Sequence, residues 1–186
     1  GFKELEGIHS RTDFDLSNHE KYSSKQIKYF DSVDNSKYTP YVLETSIGLD
    51  RMFLAIFTSS LTYDKLEDSS ERVVLKIPSI LAPYKCAFLP LLKKDGLPEI
   101  TKKIQKKLKL NFSTAYDEKD AIGRRYRRQD AIGTPYCITV DHQTVTDNTV
   151  TIRERDSMNQ DRIHIDKLEE FLRSSLNINN WLLNSA

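Results

Sequence analysis

The sequence predicts an α/β protein in which a mixed, mostly parallel sheet is flanked by helices. Three observations carry that expectation. From Lys85 onward, strand-like and helix-like patterns alternate, as in layered α/β structures. Residues 86–92 (Cys-Ala-Phe-Leu-Pro-Leu-Leu) are nearly all apolar, as in a parallel strand buried on both faces. Pro98 stands at the start of a helical pattern whose apolar stripe is Leu97, Ile100, Ile104 and Leu108. A region of different character precedes this one. The stretch from Pro78 to Pro83, two prolines around small and apolar residues, sets the expected boundary, giving domains 1–82 and 83–186.

The first region is organised around residues 41–57. Tyr41, Val42 and Leu43 favour a strand. Ser46 is expected to cap a following helix, and Gly48 lets backbone approach a ligand closely. Leu49, Met52, Phe53, Ile56 and Phe57 recur at helical spacing and are expected to face a core, with Arg51 on the other side. Upstream, Phe2, Leu5 and Ile8 suggest a short helical face. Residues 11–16 read as a charged loop or short strand, and 17–39 as a surface loop with a strand near 27–30. Downstream, 62–71 is expected to be an acidic loop and 72–77 a strand.

In the second region, 112–116 is expected to be a strand and 121–131 a helix stopped by Gly133 and Pro135. Residues 136–141 and 149–155 read as two strands joined by a polar turn near Asp147 and Asn148. Ile165, Leu168, Phe171 and Leu172 mark a closing helix, and 177–183 a packed end or an extension.

Composition bounds the function classes. The chain has 186 residues, 38% hydrophobic and 30% charged, as in a soluble globular protein. It has no apolar run of membrane-spanning length, and its start is not read as a signal peptide. Cys86 and Cys137 lie in apolar runs and are expected to be buried thiols. The four histidines show no ligand spacing, so no structural metal is assigned. These features fit a reducing, cytoplasmic setting. Charge is asymmetric: residues 1–82 hold 10 Lys+Arg against 13 Asp+Glu, and residues 83–186 hold 18 against 14. The second region is the better partner for a polyanion.

Two constellations carry chemistry. Glu44 at a strand end, amides at a helix start and Arg51 in the first turn suit a ligand with an amine at one end and phosphate at the other. An ordinary strand–helix junction with a surface arginine would look the same. The second constellation is the helix bearing Arg124, Arg125, Arg127 and Arg128, with Ile122 and Tyr126 turned to the core. Arginine forks to phosphate and stacks on bases, so this helix is the best RNA-contact candidate; the alternative is a surface helix ion-paired to Asp120 and Asp130. Arg153 and Arg155 either extend that basic surface or pair with Glu154 and Asp156. The lysine run at 102, 103, 106, 107 and 109 reads as a solvated face.

The pattern Glu44-x-Ser46-x-Gly48-x-x-Arg51 before an apolar helix resembles motif 3 of class II aminoacyl-tRNA synthetases. Residues 4–16 (Glu-Leu-Glu-Gly-Ile-His-Ser-Arg-Thr-Asp-Phe-Asp-Leu), 123–136 (Gly-Arg-Arg-Tyr-Arg-Arg-Gln-Asp-Ala-Ile-Gly-Thr-Pro-Tyr) and 149–157 are similar to segments of the dimeric glycyl-tRNA synthetases, in the same order. The resemblance covers nearly the whole chain. It implies the end of a class II antiparallel-sheet catalytic domain followed by an anticodon-binding domain. It further implies activation of glycine with ATP and Mg²⁺ and transfer to glycine tRNA, in a homodimeric, cytoplasmic enzyme.

Carried over by residue, the resemblance puts Glu4, Leu5, Gly48, Leu49, Asp50 and Arg51 at ATP. It puts Arg11, Glu44, Thr45, Ser46, Ile47 and Gly48 at glycine, with Glu44 facing the ammonium group and Arg51 the phosphates as the catalytic pair. Arg124, Arg125, Arg127, Arg128, Arg153 and Arg155 are the implied tRNA contacts. Thr45 departs from the proline common in the family, which implies altered rigidity. Motifs 1 and 2 are not found, so the chain is expected to be a C-terminal piece that does not make glycyl-adenylate alone. The competing expectation is a non-catalytic, synthetase-like nucleic-acid-binding accessory protein; retention of Glu44, Ser46, Gly48 and Arg51 argues against a retired site.

Overall fold

The computed structural model describes residues 3–66 and 69–185. By contacts the chain forms two compact units, 1–55 and 56–186. This division falls earlier than the 82/83 boundary set by prolines, because residues 56–82 pack with the C-terminal sheet and its helices.

In the first unit, β1 (Glu6–Thr12) pairs antiparallel with β4 (Val42–Ile47). Between them lie α1 (Phe14–Ser23) and a small hairpin of β2 (Tyr29–Asp31) and β3 (Ser36–Tyr38). α2 (Leu49–Ser60) follows β4 directly. Several expectations are corrected. Leu5 precedes a strand and Ile8 lies in it, so the upstream segment is not helical; Phe2 falls outside the described residues. Residues 17–23 are helix rather than loop. Ser46 is not a cap but a strand residue paired with Gly7. The apolar positions of α2 are also more open than a core face: Leu49 is 80% and Phe53 66% exposed.

The second unit is built on a five-stranded sheet. Its strands are β7 (Cys86–Pro90), β8 (Thr114–Tyr116), β9 (Tyr136–Val140), β10 (Thr149–Glu154) and β11 (Gln160–His164). The spatial order is β11-β10-β9-β7-β8. β7 is parallel to both β8 and β9, while β10 is antiparallel to β9 and β11, so four of the five strands share one direction. The mixed, mostly parallel sheet is therefore as expected. Every residue of β7 is buried, which is why its sequence shows no alternation.

Helices cover both faces. α3 (Leu97–Leu108) and α6 (Leu168–Ser175) pack Leu97, Ile104, Leu108, Leu168 and Leu172 against Phe88, Ile138, Val150 and Ile152. α4 (Ile122–Ala131) lays Ile122 and Tyr126 on Ala87, Leu89 and Cys137 across the sheet. Burial pushes the Cys86 thiol up to about 12 and raises Cys137 as well. Three elements were not expected. α5 (His142–Asp147) replaces a polar turn, and Asp141 and Thr144 close its start with a capping box. β11 adds the sheet edge. β5 (Leu61–Lys65) takes the place of the acidic loop and pairs with β6 (Glu71–Leu75); Glu67 and Asp68 of that stretch lie outside the described residues. A 3-10 turn (Ile165–Lys167) leads into α6, and α7 (Ile178–Ser185) ends the chain. Among the described residues no helix is long and apolar enough to cross a membrane.

The β5–β6 hairpin joins this unit through buried charge. Arg72 is 3% exposed and reaches Asp130 of α4 at 3.2 Å, Asp64 at 2.7 Å and the Arg155 carbonyl at 2.8 Å. Arg153 holds the other side of Asp130 at 2.8 and 3.1 Å and stacks over Tyr126 at 4.8 Å. Arg155 donates to the Ile77 and Gly133 carbonyls and pairs with Asp156. Gly133 ends α4 at φ +82, and a Cβ there would stand 2.9 Å from Ile77 Cγ2 and 3.1 Å from the Leu75 carbonyl. Between the hairpin and β7, the Lys85 ammonium gathers the carbonyls of Ser79, Ile80 and Ala82, which orders the proline-flanked connection.

Removing the anion beneath Arg72 and Arg153 leaves buried Arg153 without a carboxylate and Arg72 with Asp64 alone. Asp130→Ala is expected to lower stability by about 3–5 kcal/mol, read from the urea unfolding midpoint. An unchanged midpoint would remove Asp130 from the set of residues that hold the hairpin.

Candidate functional site

In the first unit the β1–β4 register sets where the expected pocket residues lie. Glu44 faces His9 and Ser46 faces Gly7 across the pair. Alternation puts Glu44 and Ser46 on one face of the ribbon, and Thr45 and Ile47 on the other. The six residues expected around glycine are thus split between two faces. Near Ser10 and Thr12 the register shifts, and Arg11 at that irregularity reaches Glu44 at 3.4 Å. Arg11 also forks onto Asp15 at 2.8 and 3.1 Å. Those hydrogen bonds hold the Asp15 carboxyl below the usual carboxylate range.

Gly7 and His9 were not singled out in the sequence. Gly7 is buried, and a Cβ on it would stand 2.5 Å from His9 Nε2 and 3.2 Å from Glu4 Oε1. The β1–β4 pairing is the signal that finds them.

The second cluster of expected residues lies where β4 passes into α2. The Gly48 amide donates to the Leu5 carbonyl at 3.4 Å, and the Gly48 carbonyl accepts from Met52 at 2.8 Å to start the helix. Arg51, exposed in the first turn, donates to the Glu4 carbonyl at 2.7 Å. Glu4, Leu5, Gly48 and Arg51 are therefore neighbours, while Leu49 and Asp50 open the helix beside them on its exposed surface. This places a cation next to a helix N-terminus, the electrostatic setting an anionic ligand needs.

In the second unit the arginines divide sharply. Arg125 is 3% exposed and donates to the carbonyls of Pro90, Leu91 and Asp120, tying together the loops that follow β7 and β8. Arg153 and Arg155 are buried in the Asp130 network and its border. Arg125 therefore does not form the basic surface expected of it; of the two alternatives for Arg153 and Arg155 the structure takes pairing, Arg155 with Asp156 and Arg153 with Asp130 rather than Glu154. Asp130 also does not answer the exposed α4 arginines; it answers Arg72 and Arg153. Arg128 pairs with Asp117 and Asp120 at 2.7 and 2.9 Å, and Arg127 donates to the Glu71 carbonyl at 3.1 Å. Arg124 is exposed, and its side chain makes no hydrogen bond or ion pair among the described residues.

The chain leaves β7 toward α3 on one face of the sheet and leaves β8 toward α4 on the other. Where the loops after β7 and β8 meet, beside the start of α4, lies a cavity of about 510 Å³ lined by Leu91, Lys93, Glu118, Asp120, Ile122 and Arg125, among others.

The architecture and the sequence of the second unit define an anticodon-binding domain: residues 85–175 match the family model described as "Anticodon binding domain". That match covers just under half of the chain. Over nearly its whole length it is similar to glycine--tRNA ligases. It is 49% identical over 176 residues to the one from Chlorobaculum tepidum, covering 95% of this chain and 37% of that relative. It is 46% identical over 178 residues to that of Borrelia hermsii, covering 95% and 40%. With the Treponema denticola ligase it shares 49% identity over 168 residues, 88% of this chain and 37% of the relative. The match falls on the C-terminal portion of these relatives, and the resemblance drawn from the motifs holds.

Burial alone would raise the Asp117 carboxyl, but hydrogen bonds from the Lys119 amide and Arg128 outweigh it and hold the group below the usual carboxylate range. A lowered folded-state pKa gives stability that is present above the unfolded value and is lost as pH falls through the folded one. In Arg128→Gln the Asp117 carboxyl is expected to titrate at higher pH by NMR. An unmoved midpoint would leave the amide as its sole anchor.

Proposed function

We propose that this chain supplies motif 3 and the anticodon-reading domain of a glycine--tRNA ligase. Such an enzyme activates glycine with ATP to an adenylate, releases pyrophosphate, and transfers glycine to the tRNA 3′ end. The observation that supports this most is the placement of Arg11 and Glu44 3.4 Å apart on paired strands. A small zwitterion seated between them exchanges one ion pair for two: its carboxylate takes Arg11 and its ammonium takes Glu44. Ser46 shares that face, and the His9 ring closes over the Cβ-less Gly7 opposite it. Tight packing is enough to exclude larger amino acids, since no smaller one competes.

Arg51, exposed beside Glu4 and the start of α2, suits the terminal phosphates of ATP, and Mg²⁺ supplies further neutralisation of phosphate charge. As pyrophosphate leaves, a fixed guanidinium stabilises the charge that develops on it. These residues position and polarise; none acts as a covalent nucleophile. The whole enzyme is expected to be a cytoplasmic homodimer, as the resembling family is.

For the RNA, the crevice between the loops after β7 and β8, with Arg124, Arg127 and Arg128 on α4 beside it, is the proposed anticodon contact. Arg124 is the only one of these three without a partner among the described residues. Arg127 and Arg128 are held by protein groups, which presets their forks rather than leaving them to be ordered on binding.

The chain is expected to bind a glycine-tRNA anticodon stem-loop more tightly than the same loop with altered anticodon bases, measured at several salt concentrations. Equal binding to both would sink the anticodon-reading role and favour a nonspecific accessory protein. By ATP–pyrophosphate exchange the chain alone is expected to be silent, and detectable exchange would overturn that.

A further inference from the structure

We propose that the outer face of α3 is a second RNA-contacting surface that holds the phosphate backbone; this rests on the tRNA-binding reading above. In the second unit, exposed cations are commonly answered by acids: Arg128 by Asp117 and Asp120, Arg162 by Asp141, Arg173 by Glu169, Lys76 by Asp64, and Lys167 by Glu170. Others are buried as structural braces, and a scattered few, such as Lys94, Lys119 and Arg124, are exposed with no ion pair among the described residues. α3 gathers such unanswered cations on one helix.

It carries five lysines within eight positions, counting Lys109 at its end, against one acid, Glu99. Lys102 lies over the Tyr116 ring at 5.2 Å. The remaining four, Lys103, Lys106, Lys107 and Lys109, are exposed and make no ion pair, side-chain hydrogen bond or ring contact among the described residues. At about 100° per residue they spread over roughly 160° of arc, next to the buried stripe of Leu97, Ile104 and Leu108. The helix dipole favours lysines in the last turn, which accounts for Lys106 and Lys107 but not for the lack of partners across the whole face.

Shape adds to charge. Lys103 and Lys107 flank a groove of about 390 Å³ whose walls include Ile100, Ile104, Val145 and Ile165. Cations beside low-dielectric walls focus a field outward, which raises the local concentration of an anionic chain. Lysine acts as a mobile point charge, suited to a backbone held without base readout. α3 therefore supplies grip, and its contribution is independent of anticodon sequence.

The test uses the chain with Lys103, Lys106, Lys107 and Lys109 all changed to Gln, and a second variant with all four changed to Arg. Binding to a glycine-tRNA transcript and to one with altered anticodon bases is titrated across salt. The Gln variant is expected to bind at least about tenfold more weakly at low salt, equally for both RNAs, with the slope of log K against log salt reduced by about 2–3. The Arg variant is expected to keep the parent slope. An unchanged slope in the Gln variant, while the parent binds the cognate RNA specifically, would overturn this surface and leave the anticodon reading intact. Loss in both variants would mean a structural effect and would also overturn it. A parent chain that binds neither RNA would end both readings. Polyglutamate competing as well as RNA on the parent, but not on the Gln variant, would assign the face to an acidic protein instead.

Discussion

Asp130 sits where the second unit is joined together. Fully buried at the end of α4, it holds Arg72 from the β5–β6 hairpin and Arg153 from the central sheet. Buried carboxylates are costly to desolvate, and a pair of guanidiniums is what makes this one tolerable. The same arginines brace the surrounding backbone: Arg72 takes the Arg155 carbonyl, and Arg155 takes those of Ile77 and Gly133. Gly133 must then lack a side chain, because Leu75 and Ile77 press against it. Hairpin, helix end and sheet are thus fixed by one polar knot rather than by apolar contact alone. This is why the compact unit starts at Ile56, well before the matched domain at residue 85.

Much of the second unit was legible in the sequence. An apolar run without alternation means a doubly buried strand, and β7 is one. Stripes at helical spacing found α3, α4 and α6, and their pattern was strong because each buries a single face. The misses share a cause. α5 is six residues long and polar, so it has no stripe; only the capping box formed by Asp141 and Thr144 marks it. β11 has one half-buried residue in five, and β5 two exposed positions with polar side chains on an edge, so neither shows a hydrophobic period. In the first unit Ser46 was read as a cap from its identity, whereas the pairing of β4 with β1 keeps it within a strand. Pairing partners remote in sequence are not written in local composition.

The arginines teach the converse lesson. Four in five positions on α4 looked like one basic surface. Tertiary structure separates them into a buried staple at Arg125, a carbonyl contact at Arg127, a carboxylate clamp at Arg128, and an open cation at Arg124. A guanidinium has five donors in a fixed plane, so a fold readily uses it as internal bracing. An ammonium on a flexible stem is harder to use in that way. Arginine count therefore overstates available positive surface, and lysine count tracks it more closely. In the first unit Arg11 and Glu44 meet and Ser46 shares the face of Glu44; what the sequence lacked was the register that adds Gly7 and His9.

Both thiols lie deep in the central sheet, and burial holds the Cys86 proton on up to about 12. Thiol-directed reagents need an accessible thiolate, and burial withholds both access and the charged form. The folded chain is accordingly silent to such reagents without any engineering. A single cysteine placed on an exposed helix face would be the sole reactive position. Dyes or spin labels could then report distances to a bound nucleic acid from the natural sequence background.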